Sequence, residues 1–296
     1  MFGVSGARAT VYLSASRALE DNWTLNDTLA IAYDTSASET IVLDVGSWYL
    51  TVKGNLIVGH NRKGELNLGT GNVSVIPASN NVGTYIGNDS AATGVVNIDG
   101  GTFIAGGAKP FYIGQYGRGI LNLNSGSVVS TNDVYIGNNA TGNGTVNVNG
   151  GTFEARKILT VGNSGTGAMT IGDGGTVTVT DKLTVGTSSG RGTLTVDGGI
   201  LTFGYNYNTQ STVDNGMFLI EKGSVTLNGN GHLVLGRNTN SPGTMTVKSG
   251  GSYTGTGNNL GLIVGWESLG TLNIEGGTVT LKNLTFCIDS GALAAK

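Results

Sequence analysis

Ten glycines recur along this chain at a nearly fixed interval, and that period constrains the fold more than any other feature of the sequence. Gly46, Gly71, Gly101, Gly126, Gly151, Gly175, Gly199, Gly223, Gly251 and Gly277 follow one another at 24 to 30 residues, a mean of about 26. They sit in segments of one pattern, GTVNVNGGTF, GTLTVDGGILTF, GTMTVKSGGSY and GTLNIEGGTVTL, in which two apolar-polar-apolar triplets flank a glycine turn. A second series, closing on Ile-Gly, Val-Gly or Leu-Gly, keeps step at Gly59, Gly87, Gly114, Gly137, Gly162, Gly186, Gly236 and Gly265. One member is missing between Gly186 and Gly236, and the irregular stretch Tyr205 to Gly216 takes up that period. Self-similarity at a period of roughly 20 to 50 residues is the mark of stacked repeats.

Each period carries three short strand signals, for example Val134 to Ile136, Val146 to Val148 and Phe153 to Ala155, and helical periodicity is absent from the array. The spacing predicts an all-β, single-stranded, right-handed parallel β-helix with three short strands per coil of about 25 residues and roughly ten coils. At about 4.8 Å per coil the rod is about 45 to 50 Å long. Alternation then assigns the interior. The first face turns in pairs such as Leu121/Leu123, Val146/Val148 and Leu272/Ile274, and the second turns in Phe103, Val128, Phe153, Val177, Leu201, Val225, Tyr253 and Val279. The third turns in Leu56/Val58, Phe111/Ile113, Leu159/Val161, Leu183/Val185, Leu233/Leu235 and Leu262/Val264. Residues 1–40 fit the period poorly and are expected to cap the helix, with a short helical turn within Leu13 to Asp21. Residues 41–296 form the repeat domain, expected to be truncated part-way through a coil at the C-terminus.

Composition narrows the class. Glycine supplies 52 of 296 residues, but only 3 prolines and no G-X-Y period exclude collagen, and 38% hydrophobic content excludes full disorder. Charged residues make up 12% with a net charge of -3, so neither a basic patch for nucleic acid nor an acidic tail is expected. No apolar run approaches the about 18 residues of a membrane helix, and the N-terminus does not read as a signal peptide. The single cysteine, Cys287, cannot form an internal disulfide and reads as structural, and two histidines, His60 and His232, cannot build a metal site of ordinary spacing.

The segments YIGNNATGNGTVNVNGGTF and LTVGTSSGRGTLTVDGGILTF resemble the repeat of type V secretion (autotransporter) passengers and of PEP-CTERM-associated surface proteins of Gram-negative bacteria. The resemblance covers about residues 41 to 288. It implies export to the cell surface or beyond on a β-helical scaffold, and it carries no shared catalytic residues.

Parallel β-helices also host glycan-cleaving enzymes, which work through paired acids. Asp99, Asp173, Asp197 and Glu275 fall at nearly one repeat position before a glycine turn, where a hydrogen bond to the local backbone is the plain account. Asp173 and Asp197, on adjacent coils, could hold a cation weakly, but no GGxGxD nonapeptide of the calcium-binding type occurs and no metal is expected. His60 and His232 lie about seven coils apart and read as solvated turn residues, and no phosphate loop occurs. Two outward ranks remain. Tyr85, Tyr112 and Tyr135 stack on the third face and are candidates for glycan binding, or simply stabilise the ladder. Thr178, Thr202, Thr226, Thr254 and Thr280 line the second face, resembling an ice-binding rank, although threonine is a common exposed β-former. Asn67, Asn97, Asn122 and Asn147 should form an amide ladder on the first face.

The expectation is therefore a non-catalytic, exported scaffold for adhesion or an extracellular layer, at the cell surface or outside the cell, without cofactors. Its partners would be host or matrix glycans, or surface proteins. Alternatives are a carbohydrate-binding passenger using the tyrosine row and a filament subunit stacking end to end with copies of itself. An enzyme acting on polysaccharides ranks last.

Overall fold

A computed structural model describes residues 10–33, 39–77, 79–204, 210–229, 231–255 and 261–286. Cys287 and the closing residues of the chain lie outside them. The described residues form a parallel β-solenoid of about ten turns with about 25 residues per turn, and they contain no helix. Twelve third-face strands stack in one sheet, from Val11–Leu13 to Leu284–Phe286. Every strand pair in the register is parallel, each residue facing its counterpart one coil away, as in Phe111↔Val134, Tyr112↔Tyr135 and Ile113↔Ile136.

The described residues before 40 join this stack. Val11–Leu13 pairs with Leu29–Ile31, which pairs in turn with Leu56–Val58. Leu29 and Ile31 are fully buried beside the later coils, so the apolar triplet LAI behaves as any other third-face strand despite its poor fit to the glycine period. The expected helical turn within Leu13 to Asp21 does not form. Arg17–Ala18 is a short strand that pairs with Leu43 and Asp44, because a parallel neighbour satisfies backbone groups that a single isolated turn would leave open.

The first and second faces are not always separate strands. Thr93–Ala105, Arg118–Ser130, Arg191–Phe203 and Gly216–Leu227 run unbroken around the corner between them. The pairing absorbs the bend in register shifts, as between Ile98 and Thr102, which is how a bulge turns a strand. In the coils through Gly174, Gly198, Gly250 and Gly276 the left-handed residue is the glycine just before the register mark.

A further glycine column closes the corner between third and first faces. Gly64, Gly94, Gly119, Gly144, Gly167, Gly192, Gly216, Gly243 and Gly270 stack in register at the start of each first-face strand. A Cβ on Gly144 would lie 2.2 Å from the carbonyl oxygen of Ile113 and 2.5 Å from the nitrogen of Gly137, so two main chains meet there with no room between them.

Inside, the assigned residues are buried: Phe103, Val128, Phe153, Val177, Leu201, Val225 and Tyr253 line the second face in consecutive coils. Volume is balanced along each strand. Phe103 and Phe153 share their strands with Ala105 and Ala155, and Tyr253 shares its strand with Gly255. The Tyr253 hydroxyl donates to the carbonyl of Gly261 at 3.3 Å, which satisfies a polar group deep in the core. In the last described coil the pattern persists but the cover is lost, with Ile274 52% exposed and Phe286 42%.

The two kinds of glycine should respond oppositely to a methyl group. Gly144→Ala is expected to lower stability by more than about 2 kcal/mol through overpacking. Gly172→Ala, whose Cβ would meet nothing closer than 3.8 Å and whose φ is not left-handed, should be neutral or stabilising by up to about 1 kcal/mol. Paired urea-unfolding curves decide it, and equal losses at both positions would contradict the steric account.

Candidate functional site on the third face

The outward side of the third face differs from the other two. Its central row reads Ala30, Ile57, Tyr85, Tyr112, Tyr135, Thr160, Thr184, Thr212, Val234 and Ile263, one residue per coil. These positions alternate outward, yet Ala30, Thr160, Thr184, Thr212, Val234 and Ile263 are all buried. The expected exposed surface is instead sheltered along most of its length, although Tyr12, which precedes Ala30 in the row, is 51% exposed.

The three tyrosines stack as expected. Ring centroids lie 5.3 Å apart for Tyr85 and Tyr112, and 5.8 Å for Tyr112 and Tyr135, with interplanar angles of 11° and 21°. The Tyr85 ring leans over Gly83, where an added Cβ would come within 3.0 Å of the phenol oxygen. Stacked this way, the rings direct their faces at one another, so a ligand meets ring edges and hydroxyls. Burial raises all three phenol pKa values, and Tyr112, with a tyrosine on each side and Asp133 nearby, is pushed up to about 12.

The threonine rank is in register, with Thr178, Thr202, Thr226, Thr254 and Thr280 paired coil to coil. Beside it run Thr176, Ile200, Ser224, Ser252 and Thr278, so the hydroxyl surface is two ranks wide and broken at Ile200, which is 48% exposed. On the first face the amide ladder forms. Asn97 donates to Asn67, Asn122 to Asn97 and Asn147 to Asn122, at 2.9, 2.8 and 2.8 Å.

Three of the four turn acids, Asp99, Asp173 and Asp197, are used across coils. Asp99 accepts from Asn124 of the next coil at 2.7 Å. Asp173 and Asp197 come together, as their spacing predicts, but the cation between them is the protein's own Lys222, 3.5 Å from each. Among the described residues no group of three metal-ligating side chains occurs. His60 is not free in solvent: its Nδ1 lies 2.6 Å from Asn61 Oδ1 and 3.2 Å from Asp89 Oδ2, beside the Tyr33 ring.

His232 differs most from its expected role. It opens strand His232–Leu235 and pairs with Gln210, and both its ring nitrogens are buried without a partner. At the far end of the neighbouring strand lies the residue that replaces the missing glycine. Asp214 takes the place held by Gly186 one coil before and Gly236 one coil after. Its nitrogen makes the same bond, to Val185 O at 2.9 Å, as Gly236 makes to Val213 O. The left-handed conformation passes to Asn215, with φ 51°.

In other coils the residue after this glycine donates to the previous coil's glycine carbonyl, as Asn138 does to Gly114. Here Arg237 N donates to the Asp214 carboxylate at 2.6 Å, and Asn238 adds its backbone N at 3.3 Å and its amide at 2.9 Å. The side chain has taken over a main-chain role. Burial raises the Asp214 pKa against these bonds, and burial together with Arg237 lowers those of Lys182 and His232.

Sequence reasoning missed this cluster because its members are scattered from 182 to 237 and one of them fills a gap in a pattern. The missing Ile-Gly was the available signal. No family model matches this chain, and neither a curated protein nor a solved structure matches it.

Two titrations follow. The lowered His232 pKa means that the unfolded chain takes up a proton more readily, so stability should rise with pH through the window just below 6.5. His232→Gln should remove that rise in urea melts between about pH 5.5 and pH 7.5, and an unchanged pH slope would disprove the assignment. The raised Tyr112 pKa carries stability that is present below pH 10 and lost toward 12. Tyr112→Phe should blunt that alkaline loss, as read by unfolding and by phenolate absorbance.

Proposed function

We propose that this chain is a non-catalytic, exported β-solenoid scaffold that presents its long faces for adhesion, or as part of an extracellular layer, at or beyond the cell surface. The observation that supports this reading best is how the polar side chains along the rod are used. The asparagine ladder, the Lys222 bridge and the Asp99–Asn124–Asn149 chain all tie one coil to the next. Side chains engaged in holding a stack together are suited to display and stiffness. The repeat resemblance to secreted passengers and surface proteins points the same way, and an elongated stack offers long surfaces for contact.

A second reading, carbohydrate binding along Tyr85, Tyr112 and Tyr135, draws support from the half-buried row of phenol hydroxyls on a sheltered strip. Each carries a test. Protease treatment of intact source cells should remove the protein, whereas full protection until lysis would overturn export. Incubation with pectins, glycosaminoglycans and mucin glycans should release no product, and turnover would overturn the scaffold reading. Replacing the three tyrosines by serine should abolish glycan-array signal if the second reading holds; an unchanged signal ends it.

A further inference from the structure

Five buried side-chain polar atoms lack a hydrogen-bond partner among the described residues, and three of them belong to two adjacent residues, Gln210 and His232. A buried polar atom left unpaired destabilises the fold, so a pair of such residues side by side calls for an explanation. Gln210 and His232 are direct partners in the third-face register. The preceding coil pairs Thr184 with Thr212, and carrying that register back two residues places Lys182 beside Gln210. At about 4.8 Å per strand, Lys182, Gln210 and His232 form an outward row about 10 Å long.

Arg237, in the turn after His232–Leu235, is close enough for its charge to act on Lys182, His232 and Asp214. Two cations thus share this strip with one carboxylate. That carboxylate already accepts from two backbone nitrogens and the Asn238 amide, and Thr212 bonds to it as well. Asp214 is held in the turn by these bonds, and its charge offsets part of that of Lys182 and Arg237, which repel one another. All four of Lys182, Gln210, His232 and Arg237 keep part of their surface exposed, while Gln210 Oε1 and both His232 nitrogens lie beneath that surface, so a ligand that bonds them has to draw those side chains outward.

The demands of these groups define a ligand. Lys182 and Arg237 offer only donors and positive charge, so the ligand must supply an anionic acceptor. Gln210 Oε1 needs a donor, and a neutral imidazole needs one donor and one acceptor. An inorganic anion such as sulfate meets the first demand and not the second, whereas a hydroxylated carboxylate meets both. We propose that Lys182, Gln210, His232 and Arg237 form a binding site for a sugar acid, the carboxylate lying between the two cations and ring hydroxyls bonding Gln210 and His232. This site is separate from the tyrosine row and stands or falls independently of the scaffold reading.

Calorimetric titration of the full chain with an oligogalacturonate, its methyl ester and sodium sulfate tests it. The acidic oligosaccharide should bind saturably, with the ester and sulfate at least about tenfold weaker. Lys182→Met and Arg237→Met should each weaken binding by about tenfold or more, while Thr226→Val on the second face leaves it unchanged. Lys182→Gln serves if the methionine variant does not fold by circular dichroism. The chain has 2 histidines, so proton NMR gives a second readout: the His232 ring signals should move on titration and those of His60 should not. Absence of saturation at millimolar acid, binding that ignores both cation substitutions, or an unmoved His232 would each overturn the proposal. Equal affinity for sulfate would overturn the sugar and leave only a simple anion site.

Discussion

Each coil of this solenoid hydrogen-bonds to the next in register, so every corner residue has another corner residue directly above it at about one strand spacing. Two main chains meeting at that distance leave no volume for a side chain pointing inward, which is why Gly144 has Ile113 and Gly137 backbone atoms where its Cβ would lie. The equal coil length and the strict alternation both follow from that close approach, because any residue added within a strand would move every later side chain to the wrong side. Extra length goes into turns. The 30 residues between Gly71 and Gly101 include a longer connection before Thr84, and Thr84 still pairs with Leu56.

Stacking also turns a single side chain into a rank, and the rank has chemistry that one residue lacks. An isolated surface asparagine gains little from a hydrogen bond in water, but Asn122 both donates to Asn97 and accepts from Asn147, so donor and acceptor are each used once per coil. Tyr112 is similarly held from both sides, and its raised pKa reflects burial first and its ring neighbours second. The same logic places Lys222 between Asp173 and Asp197. Charge is sparse on this chain, and where acids of adjacent coils approach each other a lysine of the next coil lies between them.

The period, the three faces and the inward residues were legible because they depend on which positions must be glycine or apolar, and those constraints act one residue at a time. The fused strands around the first corner were not legible, since Asp99 or Ser125 can sit in a bulge as readily as in a turn. Nor was the membership of Leu29–Ile31, whose coil lacks the glycine marks but supplies the apolar triplet that the stack needs. The shelter over Thr160, Thr184 and Thr212 escaped notice for a different reason. Alternation tells which way a side chain points and says nothing of what lies over it.

The cluster around Asp214 joins these threads. A solenoid repeats its backbone and so has difficulty making any one place different from the rest; a site needs a coil that departs from the pattern without breaking the stack. Asp214 does this by keeping the main-chain bond to Val185 while its carboxylate replaces the carbonyl that the next turn would otherwise use. The helix therefore continues through Gln210–Val213, and Asp214 becomes part of the frame. Two cations, Lys182 and Arg237, then share that one carboxylate's charge, beside the unpaired atoms of Gln210 and His232. Between Gly59 and Gly265, the coil that lacks its glycine is thus the coil where unsatisfied chemistry gathers.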